Sequence, residues 1–243
     1  MTPAVSLVLF ACWWVVPLLV LAILRVSGQV RIVWRWLALA LAVHALYALA
    51  GYTSLPTGYA DTVAQARWIG RLAQLAAGAA MALLLLANAR TRHGWLTPEG
   101  LGLTIRQRAG SLTWSLAGIL LLALMGWLAG AGAEPATGGG RLYPLLLSGP
   151  AEELAFRGLL LSLLAAALGG TVRALGWAAV LTTLLYALTQ GIGAEGTAIA
   201  IQVREIGYHV LVGTILVLMR LNSGSLLLPV IGNTVLGLAM RLA

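Results

Sequence analysis

The chain has 243 residues, of which 60% are apolar and only 9% charged, and its mean hydropathy is +0.95. A soluble domain carries about 25% charged residues, so a water-exposed globule is excluded from the start. The net charge of +8 comes entirely from Arg. These residues sit between long apolar runs, which is the positive-inside pattern of a membrane protein and not the surface of a nucleic-acid binder.

Apolar runs long enough to cross about 30 Å of hydrocarbon follow one another along the chain. The first, 4–26, lacks a basic n-region and is too long for a signal h-region, so it reads as a retained span anchored by Arg25, Arg31 and Arg35. It also holds Cys12, the lone cysteine, so no disulfide framework exists. The second run, 33–51, contains His44, read as a packed residue. The third is 69–89. The polar stretch from Arg90 to Gly110 reads as a cytoplasmic connector between a variable front part, 1–110, and a back part, 111–243, that carries the chemistry. The back part offers runs at 112–131, 143–168, 174–190, 206–219 and 225–242. The run at 206–219 is short, with room to extend back toward Thr197. The expectation is an all-α polytopic bundle of about eight transmembrane helices.

Arg25, Arg31 and Arg35, then Arg90, Arg92, Arg106 and Arg108, then Arg173 and Arg220 fall in alternate loops. The other loops hold Asp61, Glu134 with Arg141, and Glu195. This places both termini outside the cytoplasm. Arg67, Arg71 and Arg204 run against the pattern.

The main anomaly is Gly149-Pro150-Ala151-Glu152-Glu153-Leu154-Ala155-Phe156-Arg157-Gly158, set inside a run otherwise of Leu and Ala. A charge at the centre of an isolated span costs about 2.5–3.5 kcal/mol on insertion scales. Glu153 and Arg157, four apart with Glu first, share a helical face and can pair. Glu152 points about 100° away and has no local partner. Either it meets a polar residue on another helix or it holds a proton, and both suit general acid–base work. Gly149 and Pro150 are expected to permit a break or kink one turn before the pair. Two further features follow. Tyr186-Ala187-Leu188-Thr189-Gln190-Gly191 ends the sixth run. Gly224-Ser225 followed by Pro229 and Asn233 opens the eighth, where an amide in lipid needs partners. His209 is a further polar residue, read more readily as interfacial. The bland alternatives are an interhelical ion-pair staple for the charged trio, an ordinary helix C-terminus for 186–191 and a packing hydrogen bond for Asn233.

Glu152-Glu153-x-x-x-Arg157 resembles the EExxxR signature of the CPBP intramembrane proteases, a family that includes type II CAAX prenyl endopeptidases and bacteriocin-processing and immunity proteins. The resemblance covers roughly 112–242 and leaves the front part out. It aligns Tyr186 with the aromatic of the family's second motif and Gln190 with its His. After the Gly-Ser turn and Pro229 it aligns Asn233 with the His of the third motif and Gly237 with its Asn. Both motif histidines are thus replaced. The resemblance implies that Glu152 activates water, that Glu153 and Arg157 support it, and that Gln190 and Asn233 stand where the family places its imidazoles. Amides are poor zinc ligands but competent oxyanion donors, so no metal or other cofactor is expected.

The implied activity is endoproteolysis of a membrane-anchored protein or peptide in the lipid bilayer, with no nucleic-acid partner. The implied location is a bacterial cytoplasmic membrane. A catalytically degenerate relative acting as a peptide-binding, immunity or scaffold protein is the alternative. A transporter using Glu152 as a proton site is a third reading, against which no paired broken helices occur in matching halves.

Overall fold

The computed structural model describes residues 3–52, 63–92, 97–131, 143–170, 172, 175–195 and 198–243. Its helices are α1 (Pro3–Val26), α2 (Trp34–Tyr52), α3 (Val63–Arg92), α4 (Ser111–Gly130), α5 (Tyr143–Glu153), α6 (Leu161–Ala167), α7 (Trp177–Gly191), α8 (Val203–Ser223) and α9 (Leu227–Leu242). A π-helical segment, Leu154–Leu160, joins α5 to α6 without interruption. Among the described residues the only sheet is a hairpin of β1 (Ile192–Glu195) and β2 (Ala198–Ile201). The architecture is the expected all-α membrane bundle. Asp61, Glu134, Arg141 and Arg173, part of the charge pattern, lie outside the described residues.

Five of the described helices are long and apolar enough to cross a bilayer: α1, α2, α3, α4 and α8. Large apolar side chains such as Leu7, Ile23, Leu84, Leu120 and Leu211 stand exposed on them, as faces turned to lipid require. The run at 143–168 is the continuous α5–π–α6 rod, which carries the charged trio. The run at 225–242 is the shorter α9. The 15 residues of α7 rise only about 22 Å. The expected backward extension of the seventh run stops at Val203, because the chain before it pairs as the hairpin.

The α5–π–α6 rod is the axis of the bundle. Every residue from 151 to 165 is buried, and α2, α3, α7, α8 and α9 pack against it. A π turn widens the helix locally and is concentrated at functional sites. Here it follows directly on the glutamate pair. No break occurs at Gly149-Pro150, since α5 continues through both residues. Gly149 serves another purpose: a Cβ there would lie 2.6 Å from the Thr234 hydroxyl and 3.3 Å from the Val230 carbonyl of α9. The missing side chain lets α9 press its Asn233 turn against the glutamates.

α9 is fixed from two more sides. Gly126 and Gly130, four apart on α4, bring the two backbones together, since a Cβ at either would collide with the Leu236 or Met240 carbonyl. This is small-residue packing of the kind that joins helices in lipid. At the other end of α9, the 97–110 stretch is docked and not a slack connector. The Leu226 amide donates to the Gly102 carbonyl at 2.9 Å, and the Arg108 amide to the Ser223 carbonyl at 3.0 Å. The Arg220 Nη2 donates to the Gly100 carbonyl at 2.8 Å. Gly102 adopts a φ of 77°, and a Cβ there would meet the Arg220 guanidinium.

Replacing Gly126 by Leu is expected to part α4 from α9 and cost about 1–3 kcal/mol, the usual cost of overpacking. Thermal unfolding in detergent measures it. The lipid-facing change Leu120→Ala is the control expected to shift the midpoint less.

Candidate active site

The site lies where α5 meets α3, α7 and α9. Glu153 and Arg157 are fully buried, and Glu152 is 5% exposed. Arg157 Nη1 donates to Glu153 Oε1 at 3.0 Å, the i,i+4 pair the spacing predicts. Asn233 of α9 reaches both acids through one nitrogen: its Nδ2 lies 3.0 Å from Glu153 Oε1 and 3.2 Å from Glu152 Oε2. The Tyr186 hydroxyl of α7 lies 3.4 Å from Glu152 Oε2, a long contact.

The remaining oxygen, Glu152 Oε1, forms an ion pair at 3.0 Å with Arg71 Nη1 of α3. The same nitrogen contacts the Tyr47 hydroxyl at 3.3 Å and Gln74 Oε1 at 3.1 Å. The amide of Gln74 in turn donates to the Tyr47 carbonyl at 3.3 Å. Glu152 therefore does have a partner on another helix, and that partner comes from the front part of the chain. With both acids ionised, two carboxylates and two guanidiniums sum to zero, so the cluster is neutral inside a medium that penalises net charge. The Arg71 side chain is 29% exposed, against 7% for its partner. The cluster is thus open on the α3 side and closed elsewhere.

Aromatic rings wall the other sides. The Arg157 guanidinium stacks over the Tyr186 ring at 4.1 Å, a cation–π contact strengthened by desolvation. Gly213 of α8 makes room for it, since a Cβ there would lie 3.4 Å from Arg157 Nη2. Phe156 packs edge-on against Tyr186, Tyr47 and His44. Glu153 Oε2 and the Nε and Nη2 of Arg157 have no protein partner although buried. Buried polar groups of this sort are the ones ordered water serves.

Of the sequence-predicted residues, Glu152, Glu153, Arg157 and Asn233 gather into one cluster. Gln190 does not join it. It is half-buried at the end of α7, one turn beyond Tyr186, and its side chain has no hydrogen bond among the described residues. Gly237 is half-buried. His209 of α8 packs edge-on against Tyr186, with ring centroids 5.7 Å apart. Its Nδ1 donates to the Glu205 carbonyl at 2.9 Å, so it stands behind the tyrosine and not on the carboxylates.

His44 is fully buried. Its Nδ1 accepts from Trp14 Nε1 at 2.9 Å, and its Nε2 lies 3.1 Å from the Thr189 hydroxyl. Because Thr189 Oγ1 already donates to the Leu185 carbonyl, the histidine must donate to it. His44 is thereby a neutral pin between α1, α2 and α7. Among the described residues no group of three or more His, Cys, Asp or Glu side chains gathers.

Arg71, Tyr47 and Gln74 are the cluster residues that motif reasoning misses. The one available signal is Arg71's position against the positive-inside pattern: an arginine that does not mark a cytoplasmic loop needs another reason to be in a span.

Fold and site together define a polytopic helical membrane protein with a carboxylate pair inside its bundle. Residues 139–236 match the family described as Type II CAAX prenyl endopeptidase Rce1-like. The matched stretch contains Glu152, Glu153, Arg157, Tyr186, Gln190 and Asn233 and stops short of Arg71. No curated protein and no solved structure matches the chain.

Asn233→Leu is expected to cost about 1–3 kcal/mol, because it removes the donor shared by two buried carboxylates. Asn233→Asp is expected to cost more, through like-charge crowding. Thermal unfolding in detergent ranks the two variants, and the reverse order would contradict this account of the amide.

Proposed function

We propose that the protein is an intramembrane endopeptidase that cleaves a membrane-anchored protein or peptide with a water molecule activated by Glu152. The observation that carries this reading is the paired, buried Glu152 and Glu153 bridged by the Asn233 amide, in a region that matches a CAAX-protease family. Glu152 takes a proton from water as the water oxygen bonds to the scissile carbonyl carbon. The carbonyl oxygen becomes an oxyanion, for which an amide or guanidinium N–H is a competent donor. The proton then passes from Glu152 to the leaving nitrogen as the C–N bond breaks, and the two product chains separate. Glu153 and Arg157 fix the helix turn that carries the base.

Arg71 occupies a place the family motifs leave open. With Gln190 away from the carboxylates, its Nη1 is the cation nearest to Glu152. It holds the carboxylate in orientation and has further N–H groups free to turn toward an oxyanion. The Arg pattern puts Glu152 about nine residues, or roughly 14 Å, in from the non-cytoplasmic end of α5. This favours a substrate presented from outside the cytoplasm, in a bacterial inner membrane.

A second reading is a non-catalytic relative that binds a membrane peptide. Its support is the absence of any side-chain hydrogen bond from Gln190 among the described residues, together with the arginine seated on the candidate base.

Glu152→Gln separates the two. In host membranes, N-terminal labelling of cleaved proteins compares the wild type with this variant. Proteolysis predicts that specific products fall by about 10²–10⁴-fold, the usual contribution of a general base, and that an uncleaved membrane precursor accumulates. An unchanged set of products assigns the protein to the binding role.

A further inference from the structure

The β1–β2 hairpin joins the end of α7 to the start of α8. Trp13, ten residues into α1, donates from Nε1 to the Ile192 carbonyl at 3.0 Å. His44, ten residues into α2, meets Thr189 three residues before β1. The base of the hairpin is closed by Gly191 and Gln202, at the end of α7 and the start of the spanning α8. The amides and carbonyls of a strand need partners wherever it lies.

The two strands differ in how far that requirement is met. The register pairs Ile192 with Ile201, Gly193 with Ala200, Ala194 with Ile199 and Glu195 with Ala198. The Gln202 amide donates to the Gly191 carbonyl at 2.8 Å. Because inward-facing pairs alternate along an antiparallel ladder, Gly193 and Ala200 form the next bonded pair. Ile192, Ala194, Ile199 and Ile201 then turn their amides and carbonyls outward. On β1 the outward groups of Ile192, nearest the end of α7, are taken: the amide bonds the Leu188 carbonyl and the carbonyl accepts from Trp13, while those of Ala194 have no partner among the described residues. On β2 the outward groups of Ile199 and Ile201 have no partner among the described residues. Ile201 is 62% exposed, and a Cβ at Gly193 would meet nothing within 4 Å.

We propose that the free edge of β2 is a docking site for the extended backbone of the substrate, which adds to the hairpin as a third strand. Strand addition supplies main-chain hydrogen bonds whatever the sequence, and side-chain pockets add selectivity. The edge leads to the chemistry. From Gly191 back to Tyr186, whose hydroxyl faces Glu152, is five helical residues, about 7.5 Å. Two or three extended residues cover that distance. Paired in this way, a substrate segment stays unwound, which is the form a scissile peptide bond must take to be attacked. The inference rests on the proteolytic reading above, and its test separates the two.

The full chain carrying Glu152→Gln is reconstituted in vesicles and titrated with a lipid-anchored, Val- and Ile-rich fluorescent peptide. A counterpart with alternate backbone nitrogens methylated cannot add as a strand. The N-methylated peptide is expected to bind about tenfold more weakly or worse, the effect of losing one or two hydrogen bonds. Ile199→Pro, which deletes an outward N–H and leaves the β1–β2 ladder intact, is expected to weaken the parent peptide by a similar factor. Ile199→Val is expected to leave binding unchanged. Equal binding of the two peptides, or no binding of either, overturns the proposal. With the unsubstituted chain the same peptides report cleavage: selective binding without cleavage keeps the docking edge and removes the protease, while equal cleavage of both peptides does the reverse.

Discussion

An ionised carboxylate inside a bilayer is stable only when opposite charge and hydrogen-bond donors surround it, and this requirement organises the molecule. Glu153 meets it locally, through Arg157 one turn away. Glu152 cannot, because a neighbouring residue on a helix points elsewhere. It therefore draws partners from three other helices: Arg71 from α3, Tyr186 from α7 and Asn233 from α9. The front helices are thus part of the site even though the family match begins at residue 139.

Much of the remaining architecture serves to deliver these donors. The side chains absent at Gly149, Gly126 and Gly130 let α9 lie against α5 and α4, and the docked 97–110 stretch fixes where α9 begins. Tyr186 is held by Arg157 above its ring and by Phe156 and His209 at its edges. His44 ties α1 and α2 to the end of α7. The π segment directly after the glutamates belongs to the same logic: a helix whose ladder shifts register can set a charged turn at an angle that a regular α-helix denies.

Apolar run length and the spacing of Glu153 and Arg157 made the bundle and the local ion pair readable from sequence, because both depend on chemistry within one helix. The Asn233 contact was readable only as a need for partners, matched through a motif resemblance. Arg71 was visible only as an exception to a charge rule. Its pairing joins residues 81 positions apart, and no helical period encodes that separation. Gln190 is placed at the site by motif position, but its side chain bonds neither carboxylate among the described residues. The hairpin escaped notice because short apolar strands such as Ala198–Ile201 look like a fragment of helix when read by hydrophobicity alone. Gly149-Pro150 reads as a break or kink; no break occurs, and the glycine allows close approach.

The pairing of Arg71 with Glu152 is best measured by a double-mutant cycle on thermal or denaturant unfolding in detergent. Arg71→Met alone strands a buried carboxylate and is expected to cost about 3–5 kcal/mol. Adding Glu152→Gln should recover most of that loss, so that the double variant is more stable than the Arg71→Met protein. Strictly additive losses would mean that the two side chains do not depend on each other, and would contradict the claim that a cross-helix ion pair is what keeps this acid inside the membrane.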